Sequence, residues 1–206
     1  MRKIEESIVL PLVAALASCT PSARYIESDK IESDVRSAGT VTYSDLVKDA
    51  WAQMEDHVRS GPLDHSEERE VALVGVASRG IEELGDHRGT IDDALADKVS
   101  NSGLFVVVNR NMVRRVLQEM GSNDPNDLFL GNHRDAFVGQ LAKGGITPGY
   151  LLFAEMSTAS TTGKSTWLER GSKYRTYKLS LSLVNARTGE ELVRSLAERT
   201  KEYYRS

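Results

Sequence analysis

The last third of the chain carries the pattern that most limits its fold, because three strand-like stretches follow one another with no helical segment between them. They cover residues 150–158, 174–184 and 191–203. In the middle stretch apolar and polar side chains alternate, which is the period of a strand with one buried face. Residues 185–189 (Asn-Ala-Arg-Thr-Gly) predict a hairpin loop. We therefore expect an antiparallel meander at the C-terminal end.

The part before this meander alternates between strand-like and helical patterns. Residues 70–77 and 104–108 are apolar and rich in β-branched side chains, which predicts buried strands. Apolar residues at three- and four-residue spacing predict helices over residues 44–60, 90–102, 111–120 and 134–143. Strands separated by helices and then a meander predict an α+β fold, with a mixed β-sheet and helices packed mainly on one face. Such a sheet can leave its other face open.

A short apolar segment near the N-terminus ends at Cys19, the single cysteine of the chain. Its nine-residue core, residues 8–16, is far below the roughly 20 residues of a membrane-spanning helix. Leu-Ala-Ser precedes the cysteine, which is typical of a bacterial lipoprotein signal. We predict a signal peptide over residues 1–18, with diacylglycerol and an N-acyl chain on Cys19. The alternative is a buried N-terminal strand or helix that contains a core cysteine.

The next segment has the composition of a flexible tether. Residues 20–42 are polar and contain few large apolar side chains. As a coil these 23 residues span about 26 Å, and fully stretched they reach roughly 80 Å. We therefore divide the chain into a lipidated cysteine with its tether, residues 19–42, and a globular domain, residues 43–206. Removal of residues 1–18 from 206 leaves 188 residues, enough for one sizeable core.

Charge and cysteine content exclude several classes of protein. The net charge is -4, and no basic stripe with interleaved aromatic residues occurs, so nucleic-acid binding is not expected. An acylated Cys19 leaves no thiol pair for a disulfide, so packing alone must stabilise the domain. Membrane contact is expected through the lipid, because two or three acyl chains anchor a protein stably where one does not.

The motifs of catalysis and cofactor binding are missing. No Gly-x-Ser-x-Gly elbow occurs, and the four histidines lack metal-ligand spacing. Gly163-Lys164-Ser165 resembles the end of a phosphate-binding loop, but Thr158 stands where that loop needs a glycine. We therefore expect no enzyme activity, no metal, no other cofactor and no small-molecule substrate. Adjacent acids such as Asp92-Asp93 are interpreted as solvated charge, because neighbouring side chains point in different directions.

A polar excursion over residues 158–173 interrupts the strand-rich region and carries Trp167 close to Arg170. An exposed tryptophan beside an arginine is typical of an anchor in a protein–protein interface. In the alternative interpretation, Trp167 folds back and covers the edge of the sheet.

Several short sequence motifs, taken in order, match one known family. They are Leu-Ala-Ser-Cys at 16–19, Tyr-Ser-Asp-Leu-Val at 43–47, Val-Ala-Leu-Val-Gly-Val at 71–76, Ser-Gly-Leu-Phe-Val-Val-Val at 102–108, Gln-Glu-Met-Gly at 118–121, Tyr-Leu-Leu-Phe at 150–153, and Leu-Ser-Leu-Val-Asn-Ala-Arg-Thr-Gly-Glu at 181–190. Through them the chain resembles the LpoB family, outer-membrane lipoproteins that activate bifunctional class A penicillin-binding proteins. The resemblance covers residues 43–199.

This resemblance implies a non-enzymatic lipoprotein, anchored in the outer membrane and facing the periplasm. It implies docking on a small regulatory domain of the synthase, which stimulates peptidoglycan synthesis. Members of the family present the open side and the end of their C-terminal sheet to the partner. Carried onto this chain, the resemblance implies partner contacts from Phe153 and Glu155 on the first C-terminal strand and from Val193 and Ser195 on the last.

Two other functions remain as alternatives. The order of helices and strands also resembles that of the CsgG-type curli channel, which would make the chain a subunit of an envelope secretion or assembly complex. Such channels need hairpins with an apolar lipid face and about 9 to 11 residues per strand, and residues 158–173 are too polar for one. A periplasmic hydrolase is disfavoured by the missing catalytic motifs.

Overall fold

A computed structural model describes most of the predicted globular domain. The described residues are 40–61, 69–80, 84–85, 87–122, 124–162 and 172–204. The predicted signal peptide, Cys19 and Trp167 lie outside these ranges, as does the predicted tether up to residue 39. Among the described residues, no helix has both the length and the apolar character that crossing a membrane requires.

Helices and strands alternate in the first part of the chain, and three long strands follow. In chain order the elements are α1 (Thr40–Ser60), β1 (Glu70–Gly80), α2 (His87–Asn101), β2 (Val106–Val107), α3 (Arg110–Glu119), a 3-10 helix (Pro125–Phe129), α4 (Gly131–Lys143), β3 (Tyr150–Thr162), β4 (Ser172–Asn185) and β5 (Glu191–Tyr204).

The strands form one mixed sheet in the order β2-β1-β3-β4-β5. β1 is parallel to both of its neighbours, β2 and β3. β3, β4 and β5 pair antiparallel in chain order. The predicted α+β fold and its C-terminal meander are therefore confirmed.

One face of the sheet is covered by α1 and α2. Apolar side chains of α1, among them Leu46 and Met54, share a core with Leu179 and Leu181 of β4. Each of these side chains is fully buried, and burial of one such side chain contributes about 1.5–3 kcal/mol to folding. This cluster is the larger of the two apolar cores in the described residues.

The other face carries a second, smaller helical layer. α3, the 3-10 helix and α4 pack on Ala72 and Val74 of β1 and on Leu151 and Phe153 of β3. Strand order explains the two layers, because the β1-to-β2 and β2-to-β3 connections run in opposite directions along the sheet. Right-handed crossovers then place their helices on opposite faces. The second layer includes Val184 of β4 and leaves most of the β4–β5 part of its face uncovered.

A buried carboxylate connects the two layers at the β2 side of the sheet. Asp92 on α2 is buried and accepts hydrogen bonds from Arg110 at 2.5 Å and from Arg114 at 2.8 Å, both on α3. The interpretation of Asp92 as solvated charge is therefore wrong, while its neighbour Asp93 is exposed. Burial lowers the pKa of Arg110, but the hydrogen bonds and charges of Asp92 and Asp93 outweigh it and raise that pKa above its ordinary value.

All four α-helices begin earlier than their sequences predict, α3 by one residue and α4 by three. α1 starts at Thr40 instead of Ser44, so it includes the last residues of the predicted tether. α2 starts at His87 instead of Thr90. The ring of Tyr43 packs against the ring of His87, with 4.8 Å between the ring centroids. Tertiary packing therefore stabilises helical turns that have no apolar periodicity of their own.

Candidate partner-binding surface

The part of the sheet that the second layer leaves uncovered, together with the row of residues that borders it, forms a continuous surface across three strands. Its first row is Phe153, Ser182 and Arg194, which lie side by side on β3, β4 and β5. We call this surface the open face. It consists of Phe153, Glu155, Ser157, Lys178, Ser180, Ser182, Arg194, Leu196 and Glu198.

A groove of about 370 Å³ runs along the open face between the 3-10 helix and β5. Its floor is the central strand β4, where Ser180 and Ser182 contribute small polar side chains. The short side chains of β4 leave room between the larger residues on either side. The groove is lined by Arg79, Asn126, Phe129, Phe153, Glu155, Ser180, Ser182 and Arg194.

A pair of stacked aromatic rings forms one wall of the groove. The rings of Phe129 and Phe153 have centroids 4.3 Å apart and an interplanar angle of 27°. Phe129 is 43% exposed, whereas Phe153 is only 4% exposed. Such pairs contribute about 0.5–1.5 kcal/mol beyond their buried area. Phe129 therefore presents the accessible aromatic surface at this place, and Phe153 supports it from below.

Charged groups surround the groove in pairs. Arg79 on β1 contacts Glu155 on β3, with Nε 3.2 Å from a carboxylate oxygen. The Nδ2 of Asn126 donates a hydrogen bond to the same carboxylate at 3.5 Å. On β5, Arg194 lies 2.7 Å from Glu191. Exposed pairs of this kind contribute about 0.2–1 kcal/mol, so these groups can change partner at small cost to the fold.

An exposed apolar side chain lies beside these charges. Leu196 on the edge strand β5 is 50% exposed and lies in the same row as Glu155 and Ser180. Its neighbours along the strand on this face are Arg194 and Glu198. The open face and the adjoining 3-10 helix therefore combine two accessible apolar groups, Leu196 and Phe129, with charges of both signs.

The structure places two of the predicted contact residues on the opposite side of the sheet. Val193 and Ser195 lie beside Leu183 and Leu181 of β4 and face the core under α1. Ser195 is 3% exposed. The predicted face of these two residues is therefore wrong, because strand side chains alternate and a one-residue error in phase moves every side chain to the other face.

Of the residues predicted to contact a partner, Glu155 lies at the groove and is accessible to solvent. Phe153 lies at the groove but is covered by Phe129. Trp167 lies outside the described residues. Their role in binding stays a prediction. Phe129 and Leu196 were not predicted from the sequence. For Leu196 a signal exists, because it is an apolar residue between Arg194 and Glu198 at alternate positions of β5.

Within the residues that the structure describes, no group of three or more His, Cys, Asp or Glu side chains is placed to hold a metal ion.

Comparison with known proteins identifies the fold. No protein-family model matches the sequence, and no curated protein matches it either. Among solved structures, the NMR structure of E. coli LpoB is 14% identical to this chain and aligns with a TM-score of 0.51. The alignment covers 98% of this chain and 90% of that one. The chain has an LpoB-like fold.

Two further structures are similar over smaller parts of this LpoB-like chain. The C-terminal domain of E. coli LpoB is 22% identical, with a TM-score of 0.45, and the alignment covers 72% of this chain and 97% of that one. Lipoprotein GNA1162 from Neisseria meningitidis is 13% identical, also with a TM-score of 0.45, and the alignment covers 65% of this chain and 83% of that one.

Proposed function

We propose that this chain is a lipid-anchored envelope protein that binds and activates a bifunctional class A penicillin-binding protein. The observation that carries the proposal is the open face, an uncovered part of the sheet within an LpoB-like fold. In this proposal the chain acts by binding, stimulates peptidoglycan synthesis and catalyses no reaction of its own.

The composition of the open face supports a protein partner. Interfaces combine a few aromatic or arginine anchors with a polar rim. Here Phe129 and Leu196 are the exposed apolar groups, and Arg79 and Arg194 are the arginines beside them. The small side chains of Ser180 and Ser182 leave a groove into which one side chain of the partner can enter.

Activation by binding requires a difference in affinity between two states of the enzyme. A ligand shifts a conformational equilibrium only by as much as it prefers one state. A tenfold shift needs a preference of about 1.4 kcal/mol. One or two well-placed contacts on the open face can supply this amount, so a groove of this size is sufficient for the proposed effect.

We further propose that lipid on Cys19 anchors the chain in the outer membrane, with the domain facing the periplasm. Diacylglycerol and an N-acyl chain together give the two or more acyl chains that stable anchoring needs. Mass spectrometry of the native protein tests this proposal. A mature chain that begins with acylated Cys19 would support it, and an unprocessed and unacylated N-terminus would refute it.

The binding proposal is tested by calorimetry with the full chain and a class A penicillin-binding protein of the same bacterium. Saturable binding that weakens when Glu155 is changed to lysine would support the open face as the docking surface. Binding of equal affinity in the variant would exclude Glu155 from the interface. A complete absence of binding would contradict the proposal that the synthase is the partner.

A further inference from the structure

The β1 strand has a long edge that no strand covers. β1 runs from Glu70 to Gly80, but β2 consists of Val106–Val107 and pairs with β1 only at Glu70 and Val71. On this side, the rest of β1 has no neighbouring strand within the described residues. Such an edge presents main-chain donors and acceptors to any extended peptide that reaches it.

A cleft of about 560 Å³ lies along this edge. Residues 74–76 of β1 form its base, α2 contributes Arg88 to one wall, and α3 contributes Leu117 to the other. α2 and α3 pack on opposite faces of the sheet. The cleft therefore lies between the two helices, at the uncovered edge of β1. Its volume lies within the range of ligand pockets.

The charged groups of the cleft favour an acidic occupant. Arg88 and Arg114 both line it, and among the described residues that line it Asp92 is the acidic one. The carboxylate of Asp92 already accepts hydrogen bonds from Arg110 and Arg114. Arg88 is exposed at the wall formed by α2. An extended segment with carboxylates on one side and an apolar residue on the other would meet both Arg88 and Leu117.

The chain itself contains such a segment just before α1. Residues 26–34 read Ile-Glu-Ser-Asp-Lys-Ile-Glu-Ser-Asp, so one tetrapeptide occurs twice, at 26–29 and 31–34. In an extended chain alternate side chains point to opposite sides. Each copy therefore presents Glu and Asp on one side and Ile on the other.

The start of α1 lies close to the cleft. Tyr43, in the first turn of α1, packs its ring 4.8 Å from the ring of His87, and His87 directly precedes Arg88. From residue 34 to Thr40 the chain can span at most about 20 Å when extended. The copy at 31–34 is therefore held within reach of Arg88 at a high effective concentration.

We propose that an Ile-Glu-Ser-Asp copy of residues 26–34 docks in this cleft as an added strand along β1, with its carboxylates facing Arg88. Docking removes these residues from the tether between Cys19 and the domain. The docked state therefore has a shorter reach than the released state. This inference goes beyond the proposed function, because it requires no synthase.

A spin label tests the proposal in the full chain. Cys19→Ser removes the native thiol, and Lys30→Cys places a label between the two copies. We expect the amide NMR signals of residues 75, 76 and 89 to be lost with the oxidised label and to return on its reduction. Because the carboxylate–arginine contacts lie near the surface, the loss should weaken at high salt.

Charge variants decide whether the cleft itself is responsible. Arg88→Glu should restore the signals, whereas Arg115→Glu should not, since Arg115 is exposed on α3 and does not line the cleft. An unchanged circular dichroism spectrum and melting temperature would show that both variants are folded. Signals that persist with the oxidised label, or a loss that Arg88→Glu leaves intact, would overturn the proposal.

A free peptide distinguishes the tether from an external occupant. If the label causes no loss but an added peptide with the sequence of residues 26–34 shifts the same signals, the cleft binds acidic peptides from elsewhere. That result would also overturn the tether as occupant. If the label causes the loss and the added peptide reduces it by competition, the proposal is supported.

Discussion

Arg79 on β1 forms an ion pair with Glu155 of the open face on β3, with 3.2 Å between Nε and a carboxylate oxygen. Because Arg79 is exposed, the pair contributes little to stability, about 0.2–1 kcal/mol at most. The same carboxylate lines the groove and is accessible from solvent. This relationship makes Glu155 a sensitive position for a test of binding.

Glu155→Lys should weaken binding to the synthase about tenfold, because two positive charges then lie together at the groove. The free energy of unfolding should change by less than about 1 kcal/mol. Calorimetry and urea unfolding measure the two quantities. Asp56→Lys is the matched control, since Asp56 is exposed on α1 at the opposite face of the sheet. Equal weakening in both variants would indicate an effect of net charge.

Leu196→Ser should reduce affinity while stability stays within about 0.5 kcal/mol, as is usual for surface positions. Leu196 is 50% exposed on the open face, so the side chain is available to a partner. Val106→Ser is the control, because Val106 is 62% exposed on β2 at the other edge of the sheet. Surface plasmon resonance with the synthase measures the affinity of both variants. A larger loss of affinity in Val106→Ser than in Leu196→Ser would contradict the assignment of the open face as the docking surface.

Asp92→Ala should lower the free energy of unfolding by about 2–4 kcal/mol, because it leaves Arg110 and Arg114 without their buried partner. Asp93→Ala removes an adjacent, exposed carboxylate and should cost less than about 1 kcal/mol. Urea unfolding of the two variants measures the difference. Similar values for both would show that Asp92 does not stabilise the contact between α2 and α3.

Gly189→Ala should destabilise the domain by about 1–2 kcal/mol, because Gly189 has φ +76° in the β4–β5 loop. An added methyl group there would also overlap the buried guanidinium of Arg134. Gly139→Ala should instead stabilise the domain by about 0.5–1 kcal/mol, since Gly139 lies in α4 with open space around it. Thermal unfolding gives both values, and a stabilised Gly189→Ala would contradict the loop geometry.

Much of the fold was predictable from local pattern. The alternation in β4 and the glycine at 189 gave the correct meander, because both signals depend on nearby residues. The register between strands depends on residues that are far apart in the chain, so a local sequence pattern does not predict it. β5 carries polar residues on both faces, such as Ser195 and Glu198, so its sequence does not fix which residues face the core.

The candidate site was predictable only in part, for the same reason. Glu155 was named from the resemblance to the LpoB family, and the structure places it at the groove, while its role in binding stays a prediction. Phe129 was missed because it belongs to a short 3-10 helix, and nothing in that stretch of sequence shows that it stacks on Phe153. Asp92 looked solvated because its partners on α3 are 18 and 22 residues away in the chain.

The most direct test of the proposed function is the rate of glycan-chain polymerisation by a purified class A penicillin-binding protein, measured with and without a saturating amount of the full chain. The proposal predicts a faster rate with the wild-type chain and with Asp56→Lys, and a smaller increase with Glu155→Lys at the same concentration. A rate that the wild-type chain leaves unchanged, although the synthase is active alone, would contradict it.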